Sequence, residues 1–261
     1  MLNKGSLSRL KVISFYTAKE AIKSKVLVNT ILLGFALLVF TYIAYSFTYG
    51  EPSRVALDFG LGTLSLSSVF IAIFMGAGLI TDELKNRTVY IIISRPVKRS
   101  VFILGKILGL SSVLIINILI LSAITLSLYF GVGGAYESLI SWAILFIAIE
   151  AILMLLIVSL LSLVTSKVLS VILSIMIYIV GHSIDGVKVL TFIKMRPSLG
   201  ALLDLYQYIL PGFYKLNLKQ HLLYDQGVGS SYLYSTLLYG VLYGLAIICL
   251  SMYLFERKNL D

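Results

Sequence analysis

The stretch DELKNRTVYIIISRPVKRSVFILGK, at residues 82–106, joins two long apolar segments and carries six of the basic residues of the chain. The flanking segments, residues 58–80 and 101–130, are each longer than the about 20 apolar residues with which a helix crosses the ~30 Å hydrocarbon core of a bilayer. Short loops rich in Lys and Arg between two spans lie on the cytoplasmic side of a membrane. The stretch therefore predicts a cytoplasmic loop between two membrane-spanning helices.

The composition of the whole chain also indicates a membrane protein. Of its 261 residues, 59% are hydrophobic and 13% are charged, and the mean hydropathy is +1.00. A chain of this length cannot bury so much apolar surface in a water-soluble core. The net charge of the chain is +9, and its basic residues cluster beside the apolar runs. Anionic lipid and membrane topology account for basic residues in such places, so we exclude nucleic acid as a partner. One cysteine, two histidines and no HExxH motif give no metal site.

Six apolar runs predict six spans in a single transmembrane domain that covers residues 1–261. The runs are residues 26–49, 58–80, 101–130, 138–164, 168–183 and 232–255. The fifth has only 16 residues, so this span could be tilted, extended into the next loop or partly re-entrant. With these spans, fifteen Lys and Arg lie on the side of the two termini and six on the opposite side. The positive-inside rule therefore predicts cytoplasmic N- and C-termini.

Two segments outside the spans have helical patterns of their own. Residues 1–25 mix apolar and basic side chains, which predicts a helix lying in the lipid headgroup region. The external loop at residues 184–231 contains an apolar pattern over residues 199–210, with Ser198 as its N-cap and Pro211-Gly212 as its stop. Its many tyrosines are typical of an aromatic belt at a membrane surface.

Polar residues inside the predicted spans are candidates for a transport pathway. Glu150 lies near the middle of the fourth span, where an ionised carboxylate costs at least ~2.5 kcal/mol, so it should face protein or a water-filled path, or be protonated. We consider Glu150 and Asn117 as pathway residues, with a structural bond from Glu150 to Asn117 or Thr125 as the alternative. His182 and Asp185 are too few for a metal site and are more consistent with a surface hydrogen bond.

The loop at residues 82–106 contains the pattern of a short helix. Thr88 could cap a helix through residues 89–94, and Pro96 would end it. This helix is mostly apolar, so it needs either lipid or a groove in another protein. Composition alone leaves both interpretations open.

Four short motifs follow one another around this loop: GLITDE at residues 78–83, RT at 87–88, SRPVKR at 94–99 and GK at 105–106. In this order they resemble the permease subunit of type-2 ATP-binding-cassette (ABC) transporters. The tract YILPGFYKLN at residues 208–217 is similar to a tract of the same family, notably in permeases linked to the maturation of multicopper enzymes such as nitrous oxide reductase. The resemblance covers nearly the whole chain.

The resemblance implies that the coupling loop at residues 81–100 contains a coupling helix that contacts a separate P-loop ATPase subunit. The contact residues would be Glu83, Arg87, Thr88, Val89, Tyr90, Ile91, Ser94, Arg95 and Pro96. Two permease subunits would combine with two ATPase subunits in the plasma (inner) membrane of a prokaryote, in a complex that exports or moves an unidentified substrate. This chain lacks the GxxxxGK[ST] motif of a P-loop. We therefore expect ATP and Mg on the partner, no cofactor in this chain and no enzymatic activity of its own.

Other functions remain open at this stage. A membrane anchor could pass ATPase motion to an extracytoplasmic partner through the 48-residue external loop. A polytopic membrane enzyme would need a cluster of acidic residues at a membrane face, and the single Asp185-Gly186 dipeptide falls far short of one. A secondary transporter usually has several intramembrane charges, whereas the predicted spans contain only Glu150 near their middle. The glycine pairs Gly105/Gly109 and Gly240/Gly244 predict close helix packing, which we expect within one subunit.

Overall fold

The computed structural model describes residues 4–23, 52–79, 81, 98–189, 210–223 and 227–257, with scattered positions between 32 and 43 and between 198 and 209. The helices are α1 (Lys4–Lys23), α2 (Pro52–Gly78), α3 (Arg99–Gly131), α4 (Ser138–Val164), α5 (Lys167–Val189), α6 (Lys219–Leu223) and α7 (Ser230–Arg257), with a 3-10 turn at Phe213–Leu216. Over these described residues the fold is all-helical, as predicted.

Five helices of the described part of the chain are long and apolar enough to span a membrane, namely α2, α3, α4, α5 and α7. They correspond to the second to sixth predicted spans, and α4 begins and ends at the predicted residues. The first predicted span, residues 26–49, lies outside the described residues apart from scattered positions.

The fifth span is longer than its apolar run predicts. Instead of 16 residues, α5 has 23 and continues through Asp185 and Lys188 to Val189. Tertiary packing supports this extension, because Ile184 is 1% exposed. Of the alternatives for this short run, the structure therefore shows extension into the next loop, and over Lys167–Val189 the helix is continuous rather than re-entrant.

The most apolar of these helices, α4, lies at the centre of the bundle. It packs against α2, α3, α5 and α7. Met154, Leu155 and Val158 of this helix are fully buried. A helix that is apolar on all sides is stable in this position because its neighbours cover most of its surface.

Glycines bring two pairs of helices close together. Gly105 and Gly109 of α3 face α1, and a Cβ atom at Gly109 would lie 2.6 Å from the backbone oxygen of Ser14. Gly240 and Gly244 of α7 face α4, and a Cβ atom at Gly240 would lie 2.6 Å from an isoleucine side chain of α4. Both pairs pack within one subunit, as expected from their spacing.

The N-terminal helix α1 docks along α3. Thr17 and Ala21 of α1 are buried, whereas Phe15 and Tyr16 are 65% and 64% exposed. An ion pair of 3.7 Å between Glu20 Oε2 and Lys106 Nζ adds to this contact. The predicted helix therefore exists, with one face on the bundle and an aromatic face free for lipid; its place in the headgroup region stays a prediction.

The ends of α2, α3 and α7 meet at one end of the bundle, which we call the loop end. Here α2 ends at Gly78 and α3 begins at Arg99, and Arg99 Nη1 donates to the backbone oxygen of Glu256 over 3.4 Å. The predicted coupling helix, with all nine of its contact residues, lies at 82–97 and outside the described residues. Its two flanks nevertheless fix the end of the bundle to which it connects.

Candidate functional site

A cavity of about 460 Å³ lies between α2, α4, α5 and the segment that follows the 3-10 turn. Its lining comes from the first halves of α2 and α4 and the second half of α5, so it lies towards the end opposite the loop end; we call this the cavity end. The polar lining residues are Ser65, Glu150, Tyr178, His182, Ser183, Asn217 and Lys219. The apolar ones include Leu61, Leu66, Ile147, Ile179, Leu216 and Leu218.

At the base of the cavity, Glu150 of α4 is paired with His182 of α5. The distance from Glu150 Oε1 to His182 Nε2 is 2.7 Å, and the two side chains are 3% and 23% exposed. Glu150 thus contacts protein and also lines the cavity, and its partner is neither Asn117 nor Thr125. Thr125 instead packs against Gly60 of α2.

His182 belongs to this buried pair rather than to the surface, so its predicted surface hydrogen bond is wrong. Asp185, three residues along the same helix, is exposed. Among the residues that the structure describes, no three His, Cys, Asp or Glu side chains lie together as a metal site would require. Asn117 is fully buried on α3 and is not part of the cavity lining, so the structure separates the two predicted pathway residues.

An aromatic cluster surrounds the imidazole ring. Tyr178 lies one turn before His182 on α5, and the edge-to-face ring centroids are 4.6 Å apart. The Phe213 ring lies 5.9 Å from each of these rings. The Tyr178 side chain also interacts with Ser65 and Glu150. These contacts hold the Glu150–His182 pair in one orientation.

The segment after Leu210 turns into the bundle and closes one wall of the cavity. The described positions between 198 and 209 are helical, including Ser198, the predicted N-cap. The chain leaves the helical conformation at Leu210, next to the predicted Pro211-Gly212 stop. Beyond this stop the side chains that pack inward are fully or almost fully buried: Phe213, Leu216, Leu218 and Leu222.

Gly181 permits the close approach of this segment to α5. A Cβ atom at Gly181 would lie 2.6 Å from Phe213 Cδ2 and 2.8 Å from the backbone oxygen of Pro211. Any larger residue would push the segment away from the helix. The tract that carries the family resemblance at residues 208–217 therefore packs beside the Glu150–His182 pair.

Hydroxyl groups of α7 hold the backbone of this segment. Tyr239 accepts a hydrogen bond of 3.0 Å from the N–H of Gly212. Tyr232 donates one of 2.9 Å to the backbone oxygen of Lys215. Burial raises the pKa of the Tyr214 hydroxyl, and nearby Asp185 raises it further, so that hydroxyl stays neutral at physiological pH. The tyrosines have a defined structural role here, and their membership of an aromatic belt remains a prediction.

An ion pair at the edge of the cavity links the segment to α2. Lys219 Nζ lies 2.7 Å from Asp58 Oδ1, and the side chains are 34% and 44% exposed. Lys219 Nζ also lies 3.0 Å from the position of a Cβ atom at Gly62, so the lysine crosses directly over the glycine. Sequence reasoning missed this pair and Tyr178; the spacing of Tyr178 and His182 on an apolar helix was the available signal.

Comparison with known families decides the class of the protein. A family model described as ABC-2 family transporter protein matches residues 10–260. The chain belongs to this family. It is thus a multi-pass membrane component of an ABC transporter, a transport subunit without an ATPase site of its own. No curated protein matches the chain significantly.

Proposed function

We propose that this ABC-2 permease couples ATP hydrolysis by a separate ATPase subunit to the movement of a substrate across the plasma membrane of a prokaryote. The observation that carries the proposal is the family match over residues 10–260. In this proposal the chain works as one of two permease subunits, with the loop end and both termini in the cytoplasm, and export is the direction of transport.

The segment at residues 82–97 is the proposed contact with the ATPase. Its position between α2 and α3 supports this role, because each of these helices connects the loop end with the cavity end. A displacement of the loop would be transmitted to α7 through the hydrogen bond from Arg99 to the backbone of Glu256. It would be transmitted to α1 through the packing of α1 on α3. In this proposal Glu83, Arg87, Thr88, Val89, Tyr90, Ile91, Ser94, Arg95 and Pro96 make or shape the contact.

A second function is favoured by the packing of the segment after Leu210. Because Phe213 and Leu216 are buried in the bundle, motion of the helices would move this segment and could act on an extracytoplasmic partner. The similarity of residues 208–217 to permeases of multicopper-enzyme maturation is in line with such a partner. Transport and force transmission share the same cytoplasmic contact, so one experiment tests both.

The test compares two charge reversals at opposite ends of the bundle. The full chain is purified from its native membrane, and co-purifying proteins are identified by mass spectrometry. We expect a P-loop ATPase near one-to-one with the unchanged chain, and its loss or loss of coupled ATP hydrolysis with the double variant Arg95→Glu, Pro96→Ala. The control Arg54→Glu, at an exposed position of the cavity end, should retain both. Equal ATPase recovery and coupled hydrolysis in all three chains would contradict the proposed contact.

A further inference from the structure

At the base of the cavity lies the carboxylate of Glu150, whose hydrogen bond to a described side chain, that of His182, uses only part of its acceptor capacity. A carboxylate has about four acceptor sites. One is used by the 2.7 Å contact with His182. Glu150 itself is part of the cavity lining. A ligand in the cavity can therefore reach the remaining acceptor capacity of a buried carboxylate.

The charges around the cavity favour a cationic group at this point. The positive charge of Lys219 is already neutralised by Asp58 at 2.7 Å, at the edge of the cavity. Glu150 is 3% exposed on the side chain, and a carboxylate in a region of low dielectric is stabilised by a positively charged group close to it. An ammonium group brings three hydrogen-bond donors and one positive charge to the same place.

The other walls of the cavity suit an apolar body. Leu61 and Leu218 are buried in the lining, whereas Leu66 and Ile179 are 52% and 57% exposed. These last two lie on α2 and α5, so among the described residues the wall of the cavity between these two spans is accessible. Its volume of about 460 Å³ lies in the usual range of small-molecule sites, about 300–1,000 Å³.

We propose that this cavity binds a small amphipathic molecule with one amine, whose ammonium group pairs with Glu150 and whose apolar part lies along Leu61, Leu66 and Ile179. The ligand enters from the bilayer between α2 and α5. That such a molecule is the transported substrate rests on the proposed function, whereas its binding does not.

The test uses the fluorescent monoamine dansylcadaverine and its N-acetylated, neutral form. The full chain is placed in nanodiscs of zwitterionic phosphatidylcholine, and empty nanodiscs give the background of lipid partition. We expect saturable binding of the amine to the chain and at least tenfold weaker binding of the acetylated form. This comparison uses the unchanged chain, so it does not depend on the folding of a variant.

Three variants locate the site. Glu150→Gln should weaken amine binding at least tenfold, whereas Glu137→Gln, an exposed glutamate at the start of the same helix, should leave it unchanged. Ala143→Leu, which places extra volume at a buried lining position, should abolish binding. Equal affinity for the amine and its acetylated form, no saturable binding above empty nanodiscs, or unchanged binding in Glu150→Gln or Ala143→Leu would each overturn the proposal.

This assay contains no ATPase subunit. Failure of amine binding would leave the cytoplasmic contact standing, and loss of ATPase co-purification in the loop variant would leave the binding result unaffected. The two proposals can therefore fail separately.

Discussion

The two ends of the helical bundle bring their functional residues together in different ways. At the loop end, the proposed ATPase contact is one continuous segment between Gly78 and Arg99, whose motifs are adjacent in the sequence. At the cavity end, the Glu150–His182 pair, the Phe213 ring and the Lys219–Asp58 ion pair come from four separate parts of the chain. We infer that the two ends have different roles: the loop end offers a continuous segment that contacts a partner subunit, and the cavity end offers a cavity, built from distant residues, that binds a ligand.

The largest stability effect should come from breaking the buried pair at the cavity end. His182→Ala removes the hydrogen bond to Glu150 while the carboxylate stays buried, so we expect a loss of about 1.5–3 kcal/mol in the free energy of unfolding. Chemical denaturation of the detergent-solubilised chain measures this loss. In a double-mutant cycle with Glu150→Gln the two effects should be non-additive by at least about 0.5 kcal/mol. Additive losses would mean that the pair is not coupled.

A glycine comparison on a single helix tests the packing of the segment after Leu210. Gly181→Ala places a Cβ atom 2.8 Å from the backbone oxygen of Pro211, so we expect destabilisation of about 1–3 kcal/mol from overpacking. Gly186→Ala is the matched control, because no atom lies within 4 Å of its Cβ position. It should be neutral or stabilising, since alanine favours a helix over glycine by up to about 1 kcal/mol. If both variants unfold alike in thermal denaturation, the segment does not pack on α5 as described.

The smallest effect should come from the ion pair at the edge of the cavity. The side chains of Lys219 and Asp58 are 34% and 44% exposed. Ion pairs that are this accessible to water contribute about 0–1 kcal/mol to the free energy of unfolding. Lys219→Met and Asp58→Asn should each change the free energy of unfolding by less than about 1 kcal/mol. This change, relative to the unchanged chain, should become smaller as salt is added. A large effect that is independent of salt would show a pair much less accessible to solvent than the structure indicates.

The sequence predicted the elements of the fold better than the contacts between them. The limits of α4 were readable because Gly133 and Gly134 precede its apolar run and Thr165 follows it. The end of α5 was not readable, since Asp185 and Lys188 lower the local hydropathy while the helix continues. Hydropathy measures the free energy of moving a side chain out of water. It does not report tertiary packing, and here the packing of Ile184 supports the extension of the helix.

The same distinction explains what was missed at the cavity. Glu150 could be identified from the sequence because a carboxylate in the middle of an apolar run is costly to bury. Its partner His182 could not, because it lies 32 residues away on another helix. The inward turn of the chain at Phe213 follows a Pro-Gly stop that was predicted, yet the direction of the turn depends on Gly181 and on hydroxyl groups of α7. Such contacts depend on the relative placement of helices, which a single sequence does not specify.

The most direct test of the central claim is a proximity measurement at the loop. A photo-crosslinking amino acid is placed at Ile91 of the full chain in its native membrane, with Phe130, an exposed residue near the cavity end of α3, as the matched control position. Irradiation should join position 91 to a P-loop ATPase, identified by mass spectrometry, and should give no such product from position 130. Products from position 91 that contain only lipid or this chain itself would contradict the assignment of the loop as the ATPase contact.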